Sequence, residues 1–252
     1  MDSKMHVAIR SYKRAGTVTS LNILPFAKIW IPESQYGEYL KHYDKDTLRT
    51  IPDECDGNPS KKSNAILDRC FPSWVIMTDD DLGGIGYWEN NNHYWMSPNE
   101  ILEMITKKFI LAEELGVKLW GLNQNKDPLV HYTYRPLSLL CPILSPFGGH
   151  LDNKLRYDED MDGKEDYDFF LQHIHKYRKT LRFNKYHYIH KHGISEGGLA
   201  GIRTMQWEKG GVQKMRKKWG DKVFRSGGST GGKPGKRNNI LNCFVRVPLK
   251  GC

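Results

Sequence analysis

Long apolar runs are missing from this sequence. None approaches the roughly 18 residues a membrane helix needs, and residues 1–10 lack the apolar stretch of a secretory leader. Both absences predict a soluble intracellular protein, at work in the cytoplasm without a membrane partner. Paired cysteines are missing too. The five at 55, 70, 141, 243 and 252 are odd in number and form no CxxC, which argues against a disulfide framework and a structural zinc site and leaves reduced thiols. No internal repeat is present. Hydrophobic residues make up only 38% of the 252, still enough to bury the core of one large α/β domain, and much of that material is aromatic.

Acidic residues are scarce in one part only. Residues 176–252 hold 3 Asp and Glu against 19 Lys and Arg, whereas residues 1–175 hold 26 against 19, so the formal charge of +9 divides into +16 and −7. An acidic body suits a cation site. A basic third with aromatics among its cations, here Lys214, Arg216, Lys217, Lys218, Lys222 and Arg225 beside Trp207, Trp219 and Phe224, suits a polyanion such as nucleic acid.

The order of elements is that of an α/β sheet. Residues 6–11, 27–31 and 47–51 read as short strands, Pro32 opens a helix bearing Tyr36, Tyr39 and Leu40, and residues 61–70 form an amphipathic helix before the buried strand Trp74 to Met77. Gly83, Gly84 and Gly86 suggest a flexible segment, and residues 87–95 an aromatic, Asn-rich lid. A capped helix starts at Ser97, a strand spans 117–122, the three prolines around 137–147 allow at best an edge strand, and a helix runs from about Tyr167 to Arg178. Residues 180–189 form a strand, 225–239 a glycine-rich basic loop, and 243–247 a last strand. Such alternation implies a mixed, mainly parallel sheet flanked by helices, with the site at the carboxyl ends of the strands.

Asp79, Asp80 and Asp81 stand at such an end. Carboxylates this crowded repel one another unless a cation or fixed donors neutralise them. Other groups point to the same place: Arg10 and Ser11 at the end of the first strand with Lys13 and Arg14 just after it, Lys61 and Lys62 at a helix start, Glu165 and Asp166 at another, and His190 and His192 after a late strand. A divalent cation such as Mn2+ or Mg2+, held by carboxylate and imidazole, bridges the two phosphates of a nucleotide and stabilises a diphosphate leaving group. Asp166, beside Glu165, is the candidate base for an attacking hydroxyl. Gly197 and Gly198 offer backbone that can close on a diphosphate.

Three segments resemble the nucleotide-sugar glycosyltransferases of the GT-A fold: WVIMTDDD with a DxD at Asp79 and Asp81, KEDYDF with an xED at Glu165 and Asp166, and YIHKHG with His190 and His192. KKSNAILDRC is similar to that family's helix beside the diphosphate, with Asn64 at the matching place and Lys62 and Ser63 where Gly and Arg are common. The resemblance covers roughly residues 5–200. It implies a UDP-sugar donor, with Asp79 near the nucleotide, Asp81 and one histidine on the metal, and Asp166 as base.

AIRSYKRAG, IWIPESQYGEY, LRYDEDMDGKEDYDF and GISEGG further resemble the TET/JBP-associated glycosyltransferases, which occur in phages and act on hydroxymethylated pyrimidines in DNA. That resemblance implies a DNA acceptor gripped by the basic C-terminal third, with Tyr87, Trp88, Tyr94 and Trp95 available to stack an exposed base. The expected organisation is a catalytic domain over residues 1–202 and a basic, glycine-rich extension over 203–252 packed on it. A metal-dependent nuclease and a non-catalytic DNA-binding module are the rival readings.

Overall fold

Strand β1 (Met5–Arg10) sends Val7 and Ile9 to one face of a sheet and Ala8 to the other, and β4 (Trp74–Asp79) does the same with Ile76 against Val75 and Met77. Both faces are apolar, so both must be covered. The computed structural model describes residues 5–124, 126–127, 131, 134–144, 146–161, 163–190, 204–226 and 243–247. His192, Gly197, Gly198 and most of the 225–239 loop lie outside these.

The remaining elements are α1 (Ser20–Ile23), β2 (Lys28–Pro32), α2 (Tyr36–Tyr39), β3 (Leu48–Ile51), α3 (Pro59–Cys70), β5 (Leu82–Glu89), β6 (Asn92–Trp95), α4 (Pro98–Glu114), β7 (Leu119–Asn123), β8 (Leu137–Ser138), β9 (Phe147–Leu151), α5 (Glu165–Tyr177), β10 (Leu181–His190), α6 (Met205–Trp219), β11 (Phe224–Ser226) and β12 (Cys243–Val245). They build a mixed α/β fold on one sheet of order β3-β2-β1-β4-β9-β7-β10-β5-β6, with β8 also on β10 and a separate β11-β12 pair. Strands β3, β2, β1, β4, β7, β10 and β6 run one way, against β9, β5 and β8. The carboxyl ends of β1, β4 and β10 therefore share an edge. Helix α4 covers one face through Ile101, Ile105 and Phe109, and α3 with α5 covers the other through Ile66, Leu67 and Phe169.

Helix starts follow their caps. The Asn58 side chain accepts from the amides of Ser60 and Lys61 and sets α3 going at Pro59, two residues before the apolar pattern suggests, while Ser97 and Glu100 form a reciprocal capping box on α4. The helix expected after Pro32 is a 3-10 turn (Glu33–Gln35) followed by the single turn α2.

Two expectations are corrected. The glycine-rich and aromatic stretch 83–95 is no lid but the hairpin β5–β6, turned by Asn90 and Asn91 at φ 49° and 64°, the left-handed pair a two-residue hairpin requires. Its glycines admit neighbours: a Cβ on Gly84 would stand 2.9 Å from the Trp95 ring, and one on Gly86 2.7 Å from the Tyr94 carbonyl. The stretch 137–147 supplies only β8 and the first residue of β9, a central strand pairing both β4 and β7. Glycine hides β9 in the sequence because Trp120, fully buried, lies across its backbone. Gly149→Ala would drive a methyl group into the Trp120 ring, whereas Gly148→Ala meets Ile143 at an ordinary 3.6 Å. Urea unfolding should show the first variant less stable by about 1–3 kcal/mol and the second near wild type; equal losses would refute this packing account.

Behind the site, α5 is anchored by a neutral histidine. His173 Nδ1–H donates to the Phe169 carbonyl at 2.7 Å and its Nε2 accepts from the Asn153 amide at 2.8 Å. Burial lowers its pKa to about 4, and burial lowers that of His150 too. A folded pKa below the unfolded value of about 6.5 means that the unfolded chain takes up more protons. Stability should thus be full above about pH 6.5 and fall toward pH 4, by up to about 3 kcal/mol for His173. Equilibrium unfolding between pH 7 and 4.5 tests this, and a flat profile would refute it.

Candidate active site

Register fixes the centre of the site: Arg10 of β1 lies beside Asp79 of β4, in the last rung they share. Each acid of the triplet has its own partner. Asp79 Oδ1 accepts from Arg10 Nη2 at 2.6 Å, while Arg10 Nη1 donates to Ser63 Oγ on α3 at 2.8 Å. Asp80 accepts from Ser11 Oγ at 2.6 Å and from Arg14 Nη1 at 2.5 Å. Asp81 Oδ1 lies 2.9 Å from His190 Nδ1, and its Oδ2 lies 3.8 Å from Arg14 Nη1. Two arginines and a histidine relieve the repulsion that the bare sequence poses.

The backbone of the triplet is pinned as well. Ser20 Oγ donates to the Asp79 carbonyl at 2.6 Å and accepts from the Leu82 amide at 2.9 Å, and the Ser20 amide donates to the Asp80 carbonyl at 3.2 Å. The Tyr39 hydroxyl bonds Ser11 Oγ at 2.7 Å and accepts from the Arg14 amide at 3.0 Å. Nothing in the sequence singles out Ser20. Tyr39 shows only as one apolar position of a helix face.

Several residues expected to contact a nucleotide are enclosed by protein partners. Ser11, Lys62, Asn64 and Asp80 are buried. Lys62 Nζ donates to the Ser11 carbonyl at 2.5 Å and pairs with Asp56 at 3.0 Å, and burial lowers its pKa. Asn64 clasps the backbone of Tyr157, donating to its carbonyl at 3.0 Å and accepting from its amide at 2.8 Å. Burial raises the Asp80 pKa although Ser11 and Arg14 favour the charged form. Solvent reaches Asp79, at 38% side-chain exposure, and less of Asp81 and Arg14.

The acids at the start of α5 divide in the same way. Asp168 is fully buried, accepting from Trp219 Nε1 at 2.7 Å and pairing with Lys218 at 2.9 Å, and Glu165 is also buried, whereas Asp166 is only half-buried. The Asp166 charge is felt at Arg10, Tyr157 and Tyr188. Burial works against the Arg10 charge, but Asp79 and then Tyr157 and Asp166 outweigh it and its pKa is raised. Burial pushes the phenols of Tyr157 and Tyr188 far up, with Asp166 adding to both, so these two remain neutral donors beside the acids. Sequence reasoning passed over both tyrosines.

Among the described residues no group of three or more His, Cys, Asp and Glu side chains is spaced as a metal site. Asp81 and His190 nonetheless fit Mn2+ or Mg2+ as two ligands. Neighbouring donors of an octahedral cation stand about 3 Å apart, close to the 2.9 Å seen here, and such a cation keeps other positions for water and phosphate oxygens.

The C-terminal part joins the body through α6, which the sequence reading did not place. Val212, Met215 and Phe224 pack on Phe170, Leu171 and Ile174 of α5. Several of its cations are taken up within the chain: Lys218 by Asp158 and Asp168, Lys214 by the Asp160 carbonyl, Arg216 by Asp221. Lys209, Lys217 and Lys222 are exposed. No helix among the described residues is long and apolar enough to cross a membrane.

No protein-family model matches this chain, and no curated protein does. Among solved structures, that of S. aureus TarS residues 1–349 is similar over 74% of this chain and 60% of that one, at 15% identity and a TM-score of 0.49. This chain thus spans less than two thirds of the TarS chain.

Proposed function

We propose that the protein is a metal-dependent glycosyltransferase that moves a sugar from a nucleotide-diphosphate donor, a UDP-sugar, to the hydroxyl of hydroxymethylcytosine in DNA. The observation that carries this reading is the meeting, at one sheet edge, of the Asp81–His190 pair, the Arg10–Asp79 pair and the half-buried Asp166. Asp79 faces solvent enough to meet the nucleotide. Asp81 and His190 would hold Mn2+ or Mg2+, which supplies Lewis-acid stabilisation of the departing diphosphate.

In this reading Asp166 accepts the proton of the acceptor hydroxyl as its oxygen bonds to the anomeric carbon. The bond from that carbon to the diphosphate oxygen breaks, its electron pair leaving with the nucleotide, and the configuration inverts. Arg14, next to Asp81, adds positive charge where the diphosphate leaves. Support for DNA as acceptor comes from the exposed Lys209, Lys217 and Lys222 and from Tyr94 and Trp95, both more than 40% exposed on the hairpin.

The test is incubation with hydroxymethylcytosine DNA, Mn2+ and a panel of UDP-sugars, followed by nucleoside mass measurement. A gain of one hexose or N-acetylhexosamine is expected. Asp81→Ala should lose both the gain and Mn2+-dependent UDP binding by calorimetry. Cleavage of DNA without donor would point to a nuclease, and DNA binding with no donor binding would sink the enzyme reading.

A further inference from the structure

The segment that carries Glu165 and Asp166 is gripped from both sides. On one side, Asn64 of α3 holds the Tyr157 backbone, and the Asn58 amide donates to the Glu159 carbonyl at 2.7 Å. On the other side stands α6. Its Lys214 donates to the Asp160 carbonyl at 2.6 Å, and Lys218 and Trp219 reach Asp168 in the first turn of α5.

Two α6 contacts fall on the residues immediately before Glu165. Gly163 takes φ +62° and lies so close beneath the Trp207 ring that a Cβ there would overlap it. Next to it, Lys164 Nζ pairs with Glu208 at 2.6 Å, with side-chain exposures of 8% and 16%. A shielded ion pair and a ring seated on bare backbone leave the entry to α5 little freedom.

The geometry points to Trp207 and the Lys164–Glu208 pair as positioning groups that set where Asp166 stands, so that α6 completes the catalytic site as well as carrying basic charge. This inference rests on the sugar-transfer reading for its kinetic arm alone. A displacement of about 1 Å in a catalytic group can cost about 100-fold in rate, and neither Trp207 nor Glu208 needs to touch substrate to cause it.

The experiment uses the full chain and three variants: Trp207→Ala, Glu208→Gln, and the swap Lys164→Glu with Glu208→Lys. Hydrogen exchange should quicken at the amides of residues 163–168 in both single variants while β1 and β4 keep wild-type protection. With UDP-sugar, Mn2+ and modified DNA, kcat should fall about 10–100-fold with the donor KM unchanged, and calorimetric UDP binding should persist. The swap should recover at least part of the loss relative to Glu208→Gln. Unchanged exchange at 163–168 would overturn the proposal. So would faster exchange with an unaltered kcat, or loss of UDP binding together with kcat. If the wild-type protein transfers no sugar, the functional reading fails on its own, and the exchange pattern still decides whether α6 holds this segment.

Discussion

On the proposed sugar-transfer reading, Asp166→Asn is expected to cut transfer about 100- to 10,000-fold, the usual worth of a positioned general base, with Mn2+-dependent UDP binding left in place. The amide keeps the size and much of the hydrogen bonding of the carboxylate but cannot take the hydroxyl proton. The choice of Asp166 over its neighbours rests on accessibility. Asp168 is fully buried under Trp219 and Lys218, and Glu165 is nearly as enclosed, while Asp166 is half-buried beside Arg10, Tyr157 and Tyr188. Asp168→Asn should accordingly show in unfolding curves more than in turnover per folded molecule. If Asp166→Asn transfers sugar at the wild-type rate, another group is the base; if it also stops binding UDP, the residue belongs to the donor site.

The second large effect is on stability. Asp80→Ala should lower the free energy of unfolding by about 3–5 kcal/mol, the range for removing one member of a buried ion pair. The variant leaves Arg14, whose side chain is only 15% exposed, with Asp81 at 3.8 Å in place of Asp80 at 2.5 Å, and removes the carboxylate that accepts from Ser11 Oγ. Asp81→Ala is the informative contrast. It leaves Arg14 its closer partner, Asp80, so stability should fall less than in Asp80→Ala while metal-dependent binding disappears. Urea unfolding of the two variants in parallel checks this. Equal losses of stability would mean that the triplet does not divide its work as the hydrogen bonds indicate.

How far the sequence shows this depends on what each element rests upon. Strands β1, β2 and β4 are legible because apolar and β-branched residues bury there on both faces, and α4 because Ser97 and Glu100 cap it with their own side chains. Those signals are local. Strand β9 is illegible because what makes it a strand is Trp120, a residue some thirty positions earlier in the chain that occupies the room its glycines leave. The β5–β6 hairpin was signalled by Asn90–Asn91 but masked by glycines that read as flexibility. Helix α6 escaped because Gly210, Gly211 and its many cations obscure the spacing of Val212, Met215 and Trp219. Within the site, the acids and cations announce themselves by type. Ser20, Tyr39, Tyr157 and Tyr188 do not, since their importance comes from neighbours distant in sequence.

The three-way division of the triplet bears on how such sites are recognised. A DxD pattern scores its outer letters and treats the middle one as a wildcard. In this chain the wildcard is Asp80, the acid that ties β1, α2 and the β4 turn together through Ser11, Tyr39 and Arg14. A homologue with Ala at that position would satisfy the pattern in full and yet, without a compensating change at Arg14, would have lost the joint on which the two scored letters depend. A homologue that keeps this joint should therefore change positions 80 and 14 together, an expectation that an alignment of such sequences would test.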